Sequence, residues 1–165
     1  MAILKILKEG DETLRKKSRE ITEITPRIKT LVEDMIQTLH RTGGVGLAAP
    51  QVGVLRRLVI VETEPGDLKV LINPRIVECS GEQTGLEGCL SLPGKWGEVT
   101  RPMTVTVVAT NLEGQEVKYV GTELEARCFC HEIDHLDGVL YIDRADHMLT
   151  KEELEEYEEY DEDEE

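Results

Sequence analysis

The stretch that most constrains this chain is Cys128-Phe129-Cys130-His131-Glu132-Ile133-Asp134-His135-Leu136-Asp137-Gly138. It contains His131-Glu132-x-x-His135, two imidazoles four positions apart with a carboxylate beside the first. On a helix, residues four apart lie one turn apart on one face, so both rings can reach a single metal ion. Glu132 then stands where it can move a proton at that ion. The same spacing also fits a helix with two surface histidines, because short motifs recur by chance. The flanks predict a helix with defined ends: Thr122-Glu123-Leu124-Glu125 reads as a capping box with Thr122 as N-cap, and Gly138 closes the far end. Leu124, Cys128, His131 and His135 share one face of it, which is what an internal metal site needs.

At 165 residues the chain suits one domain with a sizeable core. No apolar run reaches the length of a membrane span. The start, Met1-Ala2-Ile3-Leu4-Lys5-Ile6-Leu7-Lys8, is broken by lysines and lacks a signal peptide's long apolar segment, so the expected compartment is the cytoplasm. There Cys79, Cys89, Cys128 and Cys130 read as thiols or metal ligands before disulfides. Of the net charge of −15, residues 151–165 carry −10 (eleven acids and one lysine), which leaves −5 for the body. The acidic end argues strongly against direct nucleic-acid binding there, and the body argues so only weakly.

The remaining segments predict an α+β fold. Residues 3–7 read as an edge strand or extended anchor, and 9–20 as a polar loop with a helical turn. Thr25-Pro26 caps an amphipathic helix whose stripe is Ile28, Leu31, Val32, Met35, Ile36 and Leu39, ending at Gly43-Gly44. Leu58–Glu62 and Leu68–Ile72 read as strands joined by a turn. Asn73-Pro74 is expected to end the second, with Arg75–Cys79 a separate short strand and Cys79 buried or half-buried. Met103–Thr110 and Gln115–Val120 form a hairpin across Asn111–Gly114. Val139–Asp143 leads out as a short apolar segment. Thr150-Lys151-Glu152-Glu153 carries another cap signature, and beyond Glu155 the acidic run is expected to fray. The expected architecture is antiparallel or mixed sheets and hairpins around the His131–His135 helix, with the amphipathic helix on the N-terminal side. The expected division is a catalytic domain over 1–147 and an acidic extension over 148–165.

Two further stretches are ambiguous alone. Gly43-Gly44-Val45-Gly46-Leu47-Ala48-Ala49-Pro50-Gln51 is either a tight lead into a strand or a place where backbone approaches a ligand. It lacks the Lys-Ser/Thr of a phosphate-binding loop. In Glu87-Gly88-Cys89-Leu90-Ser91-Leu92-Pro93, Cys89 is either core or a thiolate ligand on extended backbone. Trp96 reads as partly exposed packing around this loop.

Together with the histidine helix, these stretches resemble, in order and approximate spacing, the three signature motifs of peptide deformylases, over about residues 1–147. The resemblance implies that Cys89, His131 and His135 are metal ligands with a fourth position open to water. It implies that Glu132 is the general base and acid, and that the Gln51 amide and the Leu90 N–H are oxyanion donors. It implies that Gly44, Val45 and Gly46 form a wall pairing with the substrate backbone, and that Val45, Leu124, Cys128 and His131 line a methionine pocket. The implied reaction is hydrolysis of the formyl group from formyl-Met nascent peptides in a bacterial cytoplasm, releasing formate. The implied metal is Fe(II), replaceable by Ni(II) or Zn(II), although a His₂Cys set by itself suits zinc. Any contact with the ribosome would not run through the acidic end. Cys130 stands where the family commonly has glutamine, and with Cys128 makes a thiol-rich surround open to oxidation. The alternatives are a zinc-type peptidase, whose third ligand would lie downstream at His147 or Asp143, and a non-enzymatic relative that keeps only the fold.

Overall fold

The computed structural model describes the backbone of residues 2–164 and the side chains of residues 2–159. Its centre is a strand run buried on both sides. β1 (Gly46–Ala48), β2 (Leu58–Val61), β3 (Lys69–Ser80), β6 (Thr104–Thr110) and β7 (Glu116–Thr122) form one antiparallel sheet in the order β1-β2-β3-β6-β7. Alternation along a strand sends successive side chains to opposite faces. Val59 and Val61 therefore join a core with Val105, Val107, Phe129 and Leu136. Leu58 and Ile60 join a second core with Val32, Met35 and Leu39. The first core is capped by α2 (Leu124–Leu136) and the second by α1 (Pro26–Thr42). Two helices against two faces explain why Leu58–Val61 is apolar at every position rather than alternating.

A second antiparallel sheet, β4 (Gln83–Cys89), β5 (Leu92–Arg101) and β8 (Ala145–Met148), has the order β4-β5-β8. It packs a third core of Leu14, Leu92, Val99, Leu140 and Tyr141. The short helix α3 (Tyr141–Arg144) precedes β8, and α4 (Lys151–Glu164) follows it. The N-terminal residues are extended, an anchor and not a strand: Leu4 N–H donates to Thr38 Oγ1 (2.8 Å) and Leu7 N–H to Gln51 O (2.7 Å).

Thr25 caps α1 by accepting from the Ile28 N–H, and Gly43 ends it at φ 74°. The hairpin across Asn111–Gly114 forms as the sequence predicts. Other expectations are corrected. β3 continues through Asn73-Pro74 with a register shift between Ile72 and Arg75. Asn73 adopts φ 50°, and its amide clamps both backbone groups of Ile21 at 2.8 Å. The proline removes one ladder donor, and the bulge absorbs it. Cys79, near the free end of that long strand, is exposed.

Thr122 does not cap α2. It is held in the sheet opposite Thr104, and Glu123 precedes the helix at φ 54° with no side-chain cap. Glu125 turns instead to Lys69 at 2.7 Å. Ladder pairing thus overrides the local capping box. Residues 141–144 coil into α3, where Asp143 accepts from the Leu140 N–H. The acidic end is helical from Lys151 to Glu164, longer than the short helix expected there. Thr150 and Glu153 exchange backbone-to-side-chain bonds of 3.1 and 3.2 Å, which start the helix.

Candidate metal centre and cavity

α2 is the element that positions the site. One ligand atom each of Cys89, His131 and His135 lies within 4.8 Å of the other two, a group that could hold a metal ion. Cys89 Sγ is 3.4 Å from His135 Nε2, and the two imidazole centroids are 5.1 Å apart. The cysteine arrives at the end of β4, where the strand breaks register between Glu87 and Cys89. The three donors therefore come from a helix and a strand end that meet only in the folded chain.

The surroundings fit a cation. His131 Nδ1 lies 2.8 Å from Glu87 Oε1, which places the ring proton on that nitrogen and frees the other as a ligand. His135 Nδ1 and Glu132 Oε1 are buried without a hydrogen-bond partner. His135 turns Nε2, not Nδ1, to Cys89, so it is the orphaned Glu132 oxygen that marks a place built for a further group. Burial pushes the Glu132 carboxyl up to about 7, although the His131 charge pulls it down. Burial and the neighbouring His131 charge hold His135 well below the usual imidazole range. For His131 burial acts downward, and the Glu132 charge with bonds to Cys89 and Glu87 outweighs it, raising it to about 10. Binding a cation at the neutral ring would release that proton.

Glu87 is the residue that reading the sequence missed. It is buried, and it accepts from His131, from Arg101 through Nε and Nη2 (3.0 Å each) and from Arg127. Burial raises its pKa, but the bonds from His131 and Arg101 win and hold it at about 2. The available signal was an acid two residues before a candidate ligand on an extended segment.

Gln51 sits in the helical turn Ala49–Val52 and is 1% exposed. Its Oε1 accepts from the Ala48 N–H (2.9 Å), so its amide nitrogen faces Ser91 Oγ (3.2 Å) and Cys89 Sγ (3.5 Å). A fixed donor beside the ligand cluster follows from that orientation. A cavity of about 590 Å³ opens over the cluster, within the usual range for small-molecule sites. Gly44, Val45, Gly46, Leu90, Leu124 and Cys128 all line it. β1 is an edge strand along this cavity, with β2 on one side only. A methyl group at Gly46 would lie 2.7 Å from both Cys128 Sγ and Glu132 Oε2, so only glycine lets the strand pass α2 so closely. Trp96 is 45% exposed and lies over Gly88. Burial pushes the Cys128 thiol well up and the Cys130 thiol up to about 11, which leaves both protonated and poorly reactive at neutral pH.

A helix presenting His-Glu-x-x-His to a strand-borne cysteine, over an apolar cavity edged by a free strand, fits a metal-dependent hydrolase. The sequence model of the polypeptide deformylase family matches residues 3–151. The peptide deformylase of Thermoanaerobacter pseudethanolicus is 54% identical over 159 residues, covering 96% of this chain and 99% of the relative. That of Agathobacter rectalis is 50% identical over 159 residues, covering 94% and 100%. Among solved structures, the Thermotoga maritima peptide deformylase superposes with a TM-score of 0.84 at 38% identity, covering 87% of this chain and 97% of that one. The chain belongs to the polypeptide deformylase family, whose hydrolases remove the N-terminal formyl group from nascent peptides.

Proposed function

We propose that Cys89, His131 and His135 hold the catalytic ion and that Glu132, Gln51 and Leu90 carry the proton and charge work of deformylation. The observation that carries this reading is the convergence of those three donors beside a buried carboxylate oxygen that has no other partner. When bound, the ion supplies Lewis-acid polarisation of a carbonyl or water oxygen. The amide nitrogen of Gln51 and the backbone N–H of Leu90 donate to the formyl oxygen as negative charge grows on it. Glu132, with a pKa near the working pH, takes the proton of the attacking water and returns it to the departing amine. Glu87 keeps His131 turned towards its ligand position. The products are formate and a free methionyl N-terminus.

The free edge of β1, with the Gly44-Val45 segment leading into it, supports binding of the formyl-Met peptide as an added strand along Gly44, Val45 and Gly46. The methionine side chain then enters the apolar part of the cavity between Val45, Leu124 and Cys128, against His131. The peptidase reading loses support because its downstream ligands are engaged elsewhere: His147 with Glu153 at 2.8 Å and Asp143 with Arg15 at 2.5 Å. The bacterial relatives support a cytoplasmic enzyme, and the proposed catalytic unit is residues 1–147. Residues 151–165, with net charge −10, would be repelled by RNA phosphates and do not anchor it on a ribosome.

The experiment is formate release from formyl-Met-Ala-Ser by protein loaded with Fe(II), Ni(II) or Zn(II), with a chelated sample as control. Iron and nickel forms are expected to be faster than the zinc form, and the chelated form inactive. Equal or higher zinc activity would remove iron as the physiological metal, and undiminished activity after chelation would remove the ligand set. Gly46→Ala is expected to push Glu132 aside and lower kcat/KM by about 10²-fold, the scale of a 1 Å misplacement. Circular dichroism should show the fold retained. A loss under threefold would mean that the close passage of β1 has no catalytic weight.

A further inference from the structure

A chain of charged hydrogen bonds runs from His131 to the surface of the C-terminal segment. His131 Nδ1 meets Glu87 Oε1 at 2.8 Å, and Glu87 is forked to Arg101 by two bonds of 3.0 Å. The third guanidinium nitrogen of Arg101, Nη1, reaches past Glu87 to Asp134 Oδ2 at 2.8 Å. Asp134 is then forked by Arg144, through Nε at 2.6 Å and Nη2 at 3.0 Å. Side-chain exposure rises along the route, from 4% for Glu87 and 3% for Arg101 to 17% for Asp134 and 50% for Arg144. Arg144 ends α3, immediately before β8, and Asp134 lies on α2 beside His135.

We propose that Arg144 is a positioning residue for the metal centre, acting through Asp134, Arg101 and Glu87 on His131. Arg101 is one cation shared by two carboxylates. Arg144 supplies Asp134 with two charge-assisted bonds and so leaves Arg101 free to hold Glu87 in its fork. Without Arg144, Asp134 keeps only Arg101 and draws it away from Glu87. Arg127 still holds Glu87 Oε2, so the carboxylate pivots about that bond, and its Oε1, which aims the His131 ring, shifts. Such outer partners of a metal-ligating histidine govern how firmly the ion is held. The inference rests on the ligand set proposed above, yet it concerns a residue outside the cavity lining.

The test is the rate at which Co(II)-substituted protein yields its ion to excess chelator, together with the visible spectrum of the bound Co(II). Arg144→Gln is expected to speed loss by roughly three- to tenfold, less than the 10–100-fold of a direct partner, and to perturb the spectrum. Arg144→Lys should recover little, since a point charge cannot fork Asp134. Asp134→Asn removes the carboxylate that competes for Arg101, so its rate should stay near the wild-type value, and the double variant should match Asp134→Asn and not Arg144→Gln. Arg15→Gln loosens α3 at Asp143 and removes a long 3.4 Å bond to Gly138 O, neither of them in the relay, so its rate should stay near the wild-type value. An unchanged rate for Arg144→Gln, a double variant that loses its ion as fast as Arg144→Gln alone, or an equal effect of Arg15→Gln would each overturn the relay. Failure of the unmutated protein to bind Co(II) through a thiolate would instead overturn the ligand set.

Discussion

Glu132→Ala is expected to lower kcat/KM for formyl-Met-Ala-Ser by about 10²–10⁴-fold, the range for loss of a positioned general base, while the protein keeps its metal. Glu132 is 5% exposed, and one carboxylate oxygen has no partner. A fold gains nothing from burying an unpaired carboxylate, since it bears the desolvation without a compensating bond. Its retention in a buried position beside two candidate ligands points to use in catalysis. Burial, the largest influence on it, raises its pKa to about 7, so it can both accept and return a proton near neutral pH. Because the carboxylate contributes nothing to packing that alanine cannot partly replace, the melting temperature should hold or rise, as at many sites shaped for activity. Metal analysis, steady-state kinetics and a thermal scan on one preparation check all three expectations. Activity within tenfold of the unmutated protein, at equal metal content, would remove Glu132 from the reaction.

How much of this was legible in the sequence depends on how local each signal is. His131 and His135 declare themselves because their partnership is fixed by helix geometry, four residues apart on one element. Cys89 and Gln51 are ambiguous in the sequence alone, because the same residues would serve as core and turn. Cys89 reaches His135, and Gln51 reaches Cys89, only when the end of β4 and the Ala49–Val52 turn close over α2. Family resemblance supplied what spacing could not. The relay of Glu87, Arg101, Asp134 and Arg144 draws on two strands and two helices, so no window of sequence contains it. Two of the errors share one cause, a local rule overridden by tertiary pairing. Thr122 had the sequence of a cap, but Thr104 had already claimed it for the sheet. Asn73-Pro74 had the sequence of a strand end, but Asn73 could take φ 50° and bond Ile21, and the strand resumed. Where local chemistry met no competitor, as at Thr25 and Gly43, the prediction and the structure coincide.

Gly138→Ala is expected to destabilise the fold by about 2–5 kcal/mol, the combined scale of a left-handed non-glycine residue and an overpacked contact. Gly138 has φ 75°, and an added Cβ would lie 2.4 Å from the carbonyl oxygen of Arg15 and 2.6 Å from its carbon. Those are backbone atoms of a segment that cannot simply withdraw. Ser18 N–H donates to Leu136 O at 2.8 Å, and Arg57 reaches Leu136 O at 3.2 Å and Asp137 at 2.9 Å. Together they fasten the end of α2 to the chain's N-terminal third. Relief of the clash must therefore move the last turn of α2, which carries His135, so metal retention should weaken along with stability. Gly114→Ala separates the two contributions. Gly114 has φ 80°, but nothing lies within 4 Å of an added Cβ, so it bears the conformational cost alone, about 1–2 kcal/mol. For a chain of this size each kcal/mol corresponds to about 2–4 °C in Tm. Gly138→Ala should thus melt clearly below Gly114→Ala and lose Co(II) faster, while Gly114→Ala holds its metal normally. Equal melting of the two variants would show that the Arg15 segment yields without cost and that the end of α2 is not fixed from that side.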